Sequence, residues 1–388
     1  MQAKSLAVYV DDIAASNGFD PLSVIVEHRS NNPKRDFLFV NKNQCKHIPC
    51  SPKNTIEMIN TLSDIVARGT DKYKSILVIA FAETATALGN LLADRLLSCA
   101  AVMQTTRESI PGTHCILTFE EEHSHATTHK LLYPDKWTEF DLSCFDYVLF
   151  VDDEITTGNT ILNFIRAYKD RYGATKFGIA SICNWQDKEH ADTFSSLGID
   201  VFSLIHGQIK DVSAKMCLDS LRTNVFNAQY RATATSTRVI PVTVSMFDER
   251  FIHTPDRDYT RAFSSIISES DLASAKTVRV IGTEEFMYLP IKFAEYLEAR
   301  KFGVLCHATT RSCIDVSTPS DKNGIYCRDT FGSVYSEDRE TYLYNLGEHT
   351  DVAYVITDGI ISDSTVAQFA QLCNADKIYF VKINWEKI

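Results

Sequence analysis

The sequence predicts an α/β protein with two domains, each built around a mainly parallel sheet. Its 388 residues exceed one ordinary domain, and its hydrophobic content of 45% is sufficient for two buried cores. Apolar runs of strand length alternate with segments of helical periodicity, which is the pattern of a parallel sheet covered by helices. Because this alternation occurs twice, we expect domains at 1–230 and 240–388.

The individual elements follow from the same periodicities. The first series is predicted to contain strands at 75–81, 100–104, 147–151 and 177–183 and helices at 86–97 and 160–172. A polar segment at 227–238 has neither periodicity and is predicted to be a linker. The second series is predicted to contain strands at 278–281, 304–307, 352–357 and 378–383 and helices at 290–299 and 365–373.

The two series share residues at matching points. Each has a Glu after its first strand, a Thr-Thr-Arg run after its second and an Asn-Trp pair after its last, and matched residues lie about two hundred positions apart. Examples are Glu83 with Glu285 and Arg107 with Arg311. Two interpretations stay open at this point: coincidence between similar domains, or an internal duplication that makes the second domain a degenerate copy of the first.

Charge and cysteine content argue against several classes of protein. A net charge of −11 and a pI near 5.5 disfavour binding to nucleic acid or to an anionic membrane, since both need clustered Lys and Arg. The 11 cysteines are dispersed and include no CxxC pair, which is typical of reduced thiols in the cytoplasm. We therefore expect a cytoplasmic protein with a small-molecule ligand.

The segment after the strand at 147–151 has the composition of an anion-binding loop. Free backbone N–H groups and the helix dipole attract an anion to the N-terminus of the helix that follows, and Thr156, Thr157 and Thr160 add hydroxyl donors. Gly158 allows close approach of the backbone and a positive φ, which Asn159 also tolerates. The segment therefore predicts a phosphate site.

Two carboxylates, Asp152 and Asp153, stand beside this predicted phosphate site. A carboxylate accepts hydrogen bonds from vicinal hydroxyls, as the acidic residue of dinucleotide-binding folds does for ribose. A phosphate site next to a diol site indicates a ligand that contains ribose 5-phosphate.

The run VLFVDDEITTGNT at 148–160 resembles the phosphoribosyl-diphosphate (PRPP) signature of type I phosphoribosyltransferases. This resemblance implies a Rossmann-like first domain of that fold. It implies that the segment from Thr156 to Thr160 holds the 5-phosphate and that Asp152 and Asp153 bind the ribose hydroxyls. It also implies magnesium carried by the diphosphate of the substrate, with no dedicated protein cage.

Other segments resemble a narrower family, the phosphoribosyltransferase-like proteins of bacterial tellurium-resistance (ter) gene clusters, whose second domain is named for a Thr-Arg-Ser-Pro (TRSP) motif. The segments are NPKR at 32–35, FLFV at 37–40, KHIP at 46–49, FEEEHSHA at 119–126 and Thr310, Arg311 and Ser312. This resemblance implies phosphoribosyl transfer to a small base-like acceptor, pyrophosphate release, and synthesis of a nucleoside-like metabolite with partner enzymes of the cluster. Homodimers are common in the class.

Two further segments match sites of that class. The strand-turn-helix segment Ala82, Glu83, Thr84, Ala85 and Thr86 corresponds to the pyrophosphate loop, although an ordinary βα turn is the alternative. The segment 105–129 corresponds to the mobile catalytic loop, in which Arg107 would neutralise diphosphate and His123 and His125 would transfer protons. A solvated acidic loop and a dedicated metal site are the alternatives for this segment.

A third group of candidates concerns the acceptor and the second domain. Lys34, Arg35, Lys46 and His47 form basic clusters where an acceptor would enter, and a solvated surface is the alternative. Thr310, Arg311 and Ser312 could line a polar pocket for the acceptor or a later intermediate, or could only pack against the first domain. In an alignment of Asp358 with Asp153, Asp363 falls opposite Gly158, which predicts that the second domain does not bind PRPP.

Two other functions use the same predicted pocket. One is a PRPP or nucleotide sensor that binds without turnover, and the other is a nucleotide glycosidase or phosphorylase that runs in the direction of cleavage. The presence of Arg107 and the histidines in the segment 105–129 favours catalysis over sensing.

Overall fold

The computed structural model describes residues 4–29, 35–120, 128–138, 140–173, 175–216, 236–243, 250–267, 272–316 and 324–385. We call residues 4–216 the N-terminal half and residues 236–385 the C-terminal half. In the described ranges, no helix has both the length and the apolar character needed to cross a membrane.

A six-stranded sheet forms the centre of the N-terminal half. Its strands are β1 (Lys4–Ala15), β4 (Ile76–Ala80), β5 (Cys99–Gln104), β8 (Tyr147–Ile155), β9 (Lys176–Asn184) and β10 (Asp200–Met216), with β2 (Val24–His28), β3 (Phe37–Asn41), β6 (Thr113–Glu120) and β7 (Thr128–Pro134) forming two separate antiparallel pairs. The helices are α1 (Pro52–Thr70), α2 (Thr86–Ala93), α3 (Asn159–Tyr172) and α4 (Lys188–Ser196).

The strand order β1-β10-β9-β8-β4-β5 creates a crevice at one edge of this sheet. All neighbours are parallel except β1, which is antiparallel to β10. The chain order reverses between β4 and β8, and ligands of open parallel sheets bind outside the carboxyl ends of the strands at such a switch point. Both predicted substrate loops, after β4 and after β8, therefore meet at the same crevice.

The C-terminal half contains a second parallel sheet of five strands. Its elements are β11 (Ser236–Thr243), β12 (Thr277–Gly282), β13 (Gly303–Ala308), β16 (Thr350–Thr357) and β17 (Ala375–Asn384), the antiparallel pair β14 (Arg328–Gly332) and β15 (Glu340–Tyr344), and the helices α5 (Thr260–Ile266), α6 (Tyr288–Glu298) and α7 (Asp363–Leu372). The sheet order is β11-β17-β16-β12-β13, with all neighbours parallel.

The two sheets agree in the order of four strands. β13-β12-β16-β17 repeats β5-β4-β8-β9, and each half has an antiparallel pair after its second strand. The bridges between Thr106 and Lys130 and between Thr310 and Tyr342 occupy matching places. The fifth position differs, because β11 precedes the other strands in the chain whereas β10 follows them. This agreement favours duplication over coincidence.

One buried apolar cluster extends through both halves. It contains Leu88 and Leu91 of α2, Met287 and Ile291 at the start of α6, and Ile59 of α1. Each half also has a buried cluster of its own, around Phe150 in the N-terminal half and around Phe380 in the C-terminal half. The shared cluster joins these two cores, because helices of the two halves pack against each other and bury their apolar faces together.

The predicted strands and helices of both sheets are present, with shifts at their ends. β8 continues to Ile155, four residues beyond its predicted end, because it pairs with β9 through Glu154 and Ile155. Ser236, predicted to belong to the linker, begins β11, while residues 217–235 lie outside the described residues. The sequence did not predict the strands β1, β10 and β11, the antiparallel pairs β2–β3, β6–β7 and β14–β15, or the helices α1, α4 and α5.

We expect both halves to unfold in a single cooperative transition, because they share buried side chains. Two variants would each retain one of the three tryptophans: Trp185 in the N-terminal half or Trp385 in the C-terminal half. Their fluorescence transitions in guanidinium chloride should have the same midpoint and slope. Two distinct midpoints would show that the halves have independent cores.

Candidate functional site

The loop after β8 forms an open anion site at the start of α3. Gly158 is the N-cap residue of α3 and has φ +77°. A Cβ atom at this position would lie 2.4 Å from the Phe194 ring, so glycine is required for both its backbone conformation and its lack of a side chain. Gly158 has no side chain to cap α3, and the Asn159 N–H lies 3.4 Å from the Thr157 hydroxyl, so the rest of the first turn leaves backbone N–H groups for a ligand in the crevice.

The corresponding helix of the C-terminal half is closed at the same point. Ser362 is the N-cap residue of α7, and its hydroxyl accepts a hydrogen bond of 3.1 Å from the Thr365 N–H. Asp363, expected opposite Gly158, is instead the exposed first residue of the helix, because the loop is one residue shorter. The hydroxyl of Ser362, rather than the charge of Asp363, fills the anion position in this half.

Two carboxylates at the end of β8 border the open site. Asp152 and Asp153 are half-buried, and the Asp153 N–H donates to Asp152 Oδ1 at 2.9 Å. Burial, together with the neighbouring carboxylates, raises the pKa of both side chains. In the described parts of the chain no salt bridge neutralises either of them. The ionised forms of both carboxylates are therefore destabilised, and hydrogen bonds donated by hydroxyl groups of a ligand would stabilise them.

The equivalent carboxylate of the C-terminal half is already neutralised. The sheet register pairs Ile79 with Phe150 and Ile281 with Val355, which brings Asp358 to the position of Asp153. Arg250 Nε donates to Asp358 Oδ2 at 2.9 Å. Burial alone would raise the pKa of Asp358, but Arg250, Tyr335 and Lys382 together outweigh burial and lower it.

Arg35 connects the β2–β3 segment to the loop after β8. Its guanidinium makes two contacts with the Glu154 carboxylate, of 2.5 and 2.9 Å, and lies 4.7 Å from the centre of the Phe37 ring. This bidentate pair neutralises Glu154 beside the acid pair. Among the described residues of the predicted basic clusters, Arg35 alone therefore lies next to the acidic end of β8.

The loop after β4 contains a buried ion pair. Glu83 is 6% exposed, and its Oε1 lies 2.8 Å from Nζ of Lys46, which is completely buried. The Arg311 N–H also faces this carboxylate, at 3.3 and 3.4 Å from its two oxygens. Burial would raise the pKa of Glu83, but Lys46 and Arg311 outweigh it and lower the pKa to about 2. Glu83 thus contributes no net negative charge to the loop.

The rest of this loop faces the acid pair and the start of α2. The N-cap residue of α2 is Ala85, and no described side chain caps the helix. Ala82 N–H donates to Thr105 Oγ1 at 2.9 Å, and Thr86 Oγ1 donates to the Glu285 carbonyl at 2.8 Å. Thr84 lowers the pKa of Asp153 against the larger effects of burial and Glu154, which raise it. The start of α2 is therefore a second helix N-terminus without a side-chain cap, although Ala85 and Thr86 are buried.

Arg107 lies near the start of the loop that joins β5 to β6. Its backbone N–H donates to Glu285 Oε1 at 2.9 Å, and its guanidinium nitrogens lie 3.3 and 3.4 Å from His129 Nε2. His129 is buried, and its Nδ1 lies 3.1 Å from Thr105 Oγ1. His123 and His125 lie outside the described residues. Of the predicted catalytic side chains, the structure therefore describes Arg107.

Two family models match this chain in succession. Residues 26–208 match the model described as phosphoribosyl transferase, and residues 253–373 match the model described as the TRSP domain C-terminal to it. The chain belongs to the phosphoribosyltransferases that carry a TRSP domain. The phosphoribosyltransferase match includes β8, the loop after it and the loop after β4, and the TRSP match includes Thr310, Arg311 and Ser312.

Solved structures of phosphoribosyltransferases are similar to part of the chain. Adenine phosphoribosyltransferase from Trypanosoma brucei is 15% identical, with coverage of 48% of this chain and 79% of that chain and a TM-score of 0.34. Orotate phosphoribosyltransferase from Aeropyrum pernix is 12% identical, with coverage of 47% and 86% and a TM-score of 0.30. A comparison with curated proteins gives no match.

The predicted acceptor site at Lys46 and His47 is wrong. Lys46 is fully buried, and its ammonium donates to the Glu284 and Thr309 carbonyls at 2.7 and 3.0 Å. His47 is also buried, and desolvation together with Lys46 lowers its pKa to about 3. Both lie inside the contact between the phosphoribosyltransferase domain and the TRSP domain. Lys34 lies outside the described residues.

The TRSP motif lies at that same contact. Arg311 binds Glu83 and Glu108 of the phosphoribosyltransferase domain and Glu284 of its own half. Thr310 is buried, and its hydroxyl accepts the Ser312 N–H at 3.2 Å. These contacts agree with the expectation that the motif packs against the first domain.

Sequence reasoning missed two side chains at the site, Gln186 and Arg250, and singled out Glu285 as a counterpart of Glu83 without its contact to the Arg107 loop. Gln186 is 7% exposed and lies beside the Gly158 position, where its Nε2 has no hydrogen-bond partner among the described residues. Glu285 and Arg250 form a buried ion pair of 2.8 Å next to Arg107. The equivalence of Glu285 with Glu83 was a signal for Glu285, whereas no local pattern marks Gln186 or Arg250.

Gly158→Ala is expected to destabilise the protein by about 1–3 kcal/mol more than Gly18→Ala, because overpacking against Phe194 adds to backbone strain. Gly18 is a matched control with φ +72°, and a Cβ atom added there would have no atom within 4 Å. Urea unfolding of both variants measures the difference. Equal losses would show that Phe194 moves aside at no cost.

The pH dependence of stability should include a contribution from Glu83. Because its folded-state pKa is about 2, below the ordinary 4.5, ionised Glu83 stabilises the fold fully above about pH 4.5, and this stabilisation is lost as the pH falls towards 2. Glu83→Gln should therefore flatten the unfolding free energy between these values. Glu57→Gln, on the exposed surface of α1, is the control that should leave the pH profile unchanged. An unaltered profile for Glu83→Gln would contradict the ion pair.

Proposed function

We propose that the phosphoribosyltransferase domain transfers the 5-phosphoribosyl group of PRPP to a small, base-like acceptor and releases pyrophosphate. The observation that carries this proposal is the open N-terminus of α3 next to Asp152 and Asp153, at the switch point of the sheet. The 5-phosphate would bind at the N-terminus of α3, and the ribose diol would bind at the two carboxylates.

The assignment of the phosphate follows from the available donors. Its oxygens would accept hydrogen bonds from backbone N–H groups at the start of α3 and from three nearby hydroxyls. The residues of this site are Thr156, Thr157, Gly158, Asn159 and Thr160, of which all but Gly158 are half-buried and accessible from the crevice. The raised pKa values of Asp152 and Asp153 support their role as hydroxyl acceptors, because bound hydroxyls would stabilise the ionised forms.

The diphosphate would occupy the other side of the crevice. The N-terminus of α2 has no side-chain cap and would supply N–H donors there, next to the half-buried Thr84. Arg107 would supply positive charge to the leaving diphosphate, with His129 orienting its guanidinium. Because Lys46 and Arg311 neutralise Glu83, that residue does not repel the diphosphate.

Magnesium fits this arrangement as a companion of the substrate. The described residues contain no group of three or more His, Cys, Asp or Glu side chains that could hold a metal ion. A magnesium ion that keeps several waters and binds diphosphate oxygens needs only one or two carboxylates, which Asp152 and Asp153 offer. When bound, it would neutralise charge on the leaving pyrophosphate.

The main role of the protein in this reaction is to position the reactants. The bond between ribose C1 and the diphosphate oxygen breaks, a bond from C1 to a nitrogen or carbon of the acceptor forms, and the ribose passes through an oxocarbenium-like state. Holding both reactants in the crevice supplies most of the catalysis. Proton transfer to or from the acceptor is assigned to His123 or His125. The ter-family resemblance supports a cytoplasmic pathway to a nucleoside-like metabolite.

Asp152→Asn combined with Asp153→Asn should abolish the protection that PRPP and magnesium give against thermal unfolding. Saturation at one hundred times Kd stabilises a protein by about 2.7 kcal/mol, which a thermal shift resolves. The matched control is Asp170→Asn combined with Asp192→Asn, which removes the same charge from exposed positions and should retain full protection. Full protection in the Asp152 and Asp153 variant would refute the ribose assignment.

Turnover is tested separately with the native protein. Incubation with PRPP, magnesium and a panel of nucleobases should release pyrophosphate with at least one base. Tight PRPP binding without release for any base would identify a sensor instead. Release from PRPP that occurs equally without any base would exclude transfer and indicate hydrolysis.

A further inference from the structure

The two halves contact each other through matched pairs of backbone segments. The segment before α1 adds to β13, with hydrogen bonds of 3.1 and 2.8 Å between Cys50 and Cys306. The segment after Arg250 adds to β5, with two bonds of 2.9 Å between His253 and Val102. Each half therefore extends the edge strand of the other, which is the reciprocity of a two-fold dimer interface.

The buried charges repeat this reciprocity. Lys46 pairs with Glu83 in one half, and Arg250 pairs with Glu285 in the other, each at 2.8 Å. All four side chains are at most 6% exposed. The two glutamates stand in equivalent turns, after β4 and after β12, so the pairs are counterparts.

Each of these glutamates also accepts hydrogen bonds from the opposite half. The Arg311 N–H faces Glu83, and the Arg107 N–H donates to Glu285 at 2.9 Å. Thr106 adds a hydroxyl bond of 2.5 Å to Glu285. The loop that carries Arg107 is thus attached to the TRSP domain by these two hydrogen bonds and by ion pairs of Glu108 with Arg311 and Arg339.

The two sites have diverged although the contacts are reciprocal. The C-terminal half has a capped α7 and a neutralised Asp358, whereas the N-terminal half has an open α3 and an unneutralised acid pair. The contacts that the TRSP domain makes across the interface therefore serve a site that lies in the other half.

We propose that the TRSP domain acts as a built-in partner subunit of the phosphoribosyltransferase site and controls its diphosphate end. Glu285 is a positioning residue that fixes the loop of Arg107. Arg311 is a positioning residue that neutralises Glu83 and holds the loop after β4. This inference rests on the proposed function and adds to it which ligand group depends on the second domain.

The charge balance gives the expected direction of the effect. With Arg311 removed, Glu83 keeps Lys46 as its cation but loses a second one, so a diphosphate in the same loop meets more negative charge. The 5-phosphate at α3 lies at the other loop and has no described contact with the TRSP domain. Loss of Arg311 should therefore weaken binding of pyrophosphate and spare ribose 5-phosphate.

The test compares three ligands by calorimetry: magnesium pyrophosphate, ribose 5-phosphate and PRPP. Arg311→Met should weaken the binding of pyrophosphate and of PRPP by about tenfold or more. The affinity for ribose 5-phosphate should change by less than about twofold. Arg311→Lys, which keeps the charge, should recover most of the loss. Glu298→Gln alters another contact between the halves, with the Lys53 N–H at 3.0 Å, and should change none of the three.

A second measurement does not depend on ligand binding. Hydrogen exchange at the Arg107 amide should be slow in the native protein and at least about tenfold faster in Glu285→Gln, and also in Thr106→Val if the first variant fails to fold. Two results would overturn this inference but leave the proposed function intact. One is unchanged exchange at the Arg107 amide in a folded variant, and the other is an equal loss of affinity for pyrophosphate and for ribose 5-phosphate in Arg311→Met. If the native protein bound none of the three ligands, the proposed function would be overturned as well.

Discussion

A buried network of charges between the two halves determines the arrangement of the crevice. Glu83 and Glu285 are held by Lys46, Arg250 and Arg311, and burial of this kind is tolerated only when every charge has partners. The lowered pKa of both glutamates indicates that the cations outweigh the cost of desolvation. Because removal of one member would leave a buried charge without its partner, the network fixes how the halves dock and where the loops after β4 and β5 lie.

The same framework supports two different sites. In the N-terminal half, Gly158 leaves most of the first turn of α3 uncapped, and neither Asp152 nor Asp153 forms a salt bridge among the described residues. In the C-terminal half, Ser362 satisfies its own helix, and Arg250 satisfies Asp358. A polar group that is satisfied internally gains little from a ligand, whereas one held in an unfavourable state gains more. Unmet hydrogen-bonding capacity, rather than fold, distinguishes the two halves.

The contact between the halves also explains the position of the β2–β3 pair. Leu38 and Val40 of β3 pack with Ile314, Ile325 and Tyr344 of the C-terminal half. From this position Arg35 extends to Glu154 beside the phosphate loop. A segment of the phosphoribosyltransferase domain is therefore supported by the TRSP domain and returns to the crevice, so the crevice is built by both parts of the chain.

Sequence alone determined the features that depend on residues close together in the chain. Four strands of each sheet and two helices of each half were predicted within a few residues, because periodicity reports which side of an element is buried, and the loop around Gly158 was recognisable because its donors are consecutive. The structure alone decided which distant charges pair. Lys46 was expected at an acceptor site and is buried against Glu83. Glu83 also accepts the backbone N–H of Arg311, which lies 228 residues away in the chain. Such pairing depends on how the halves dock, and periodicity within each half does not specify it.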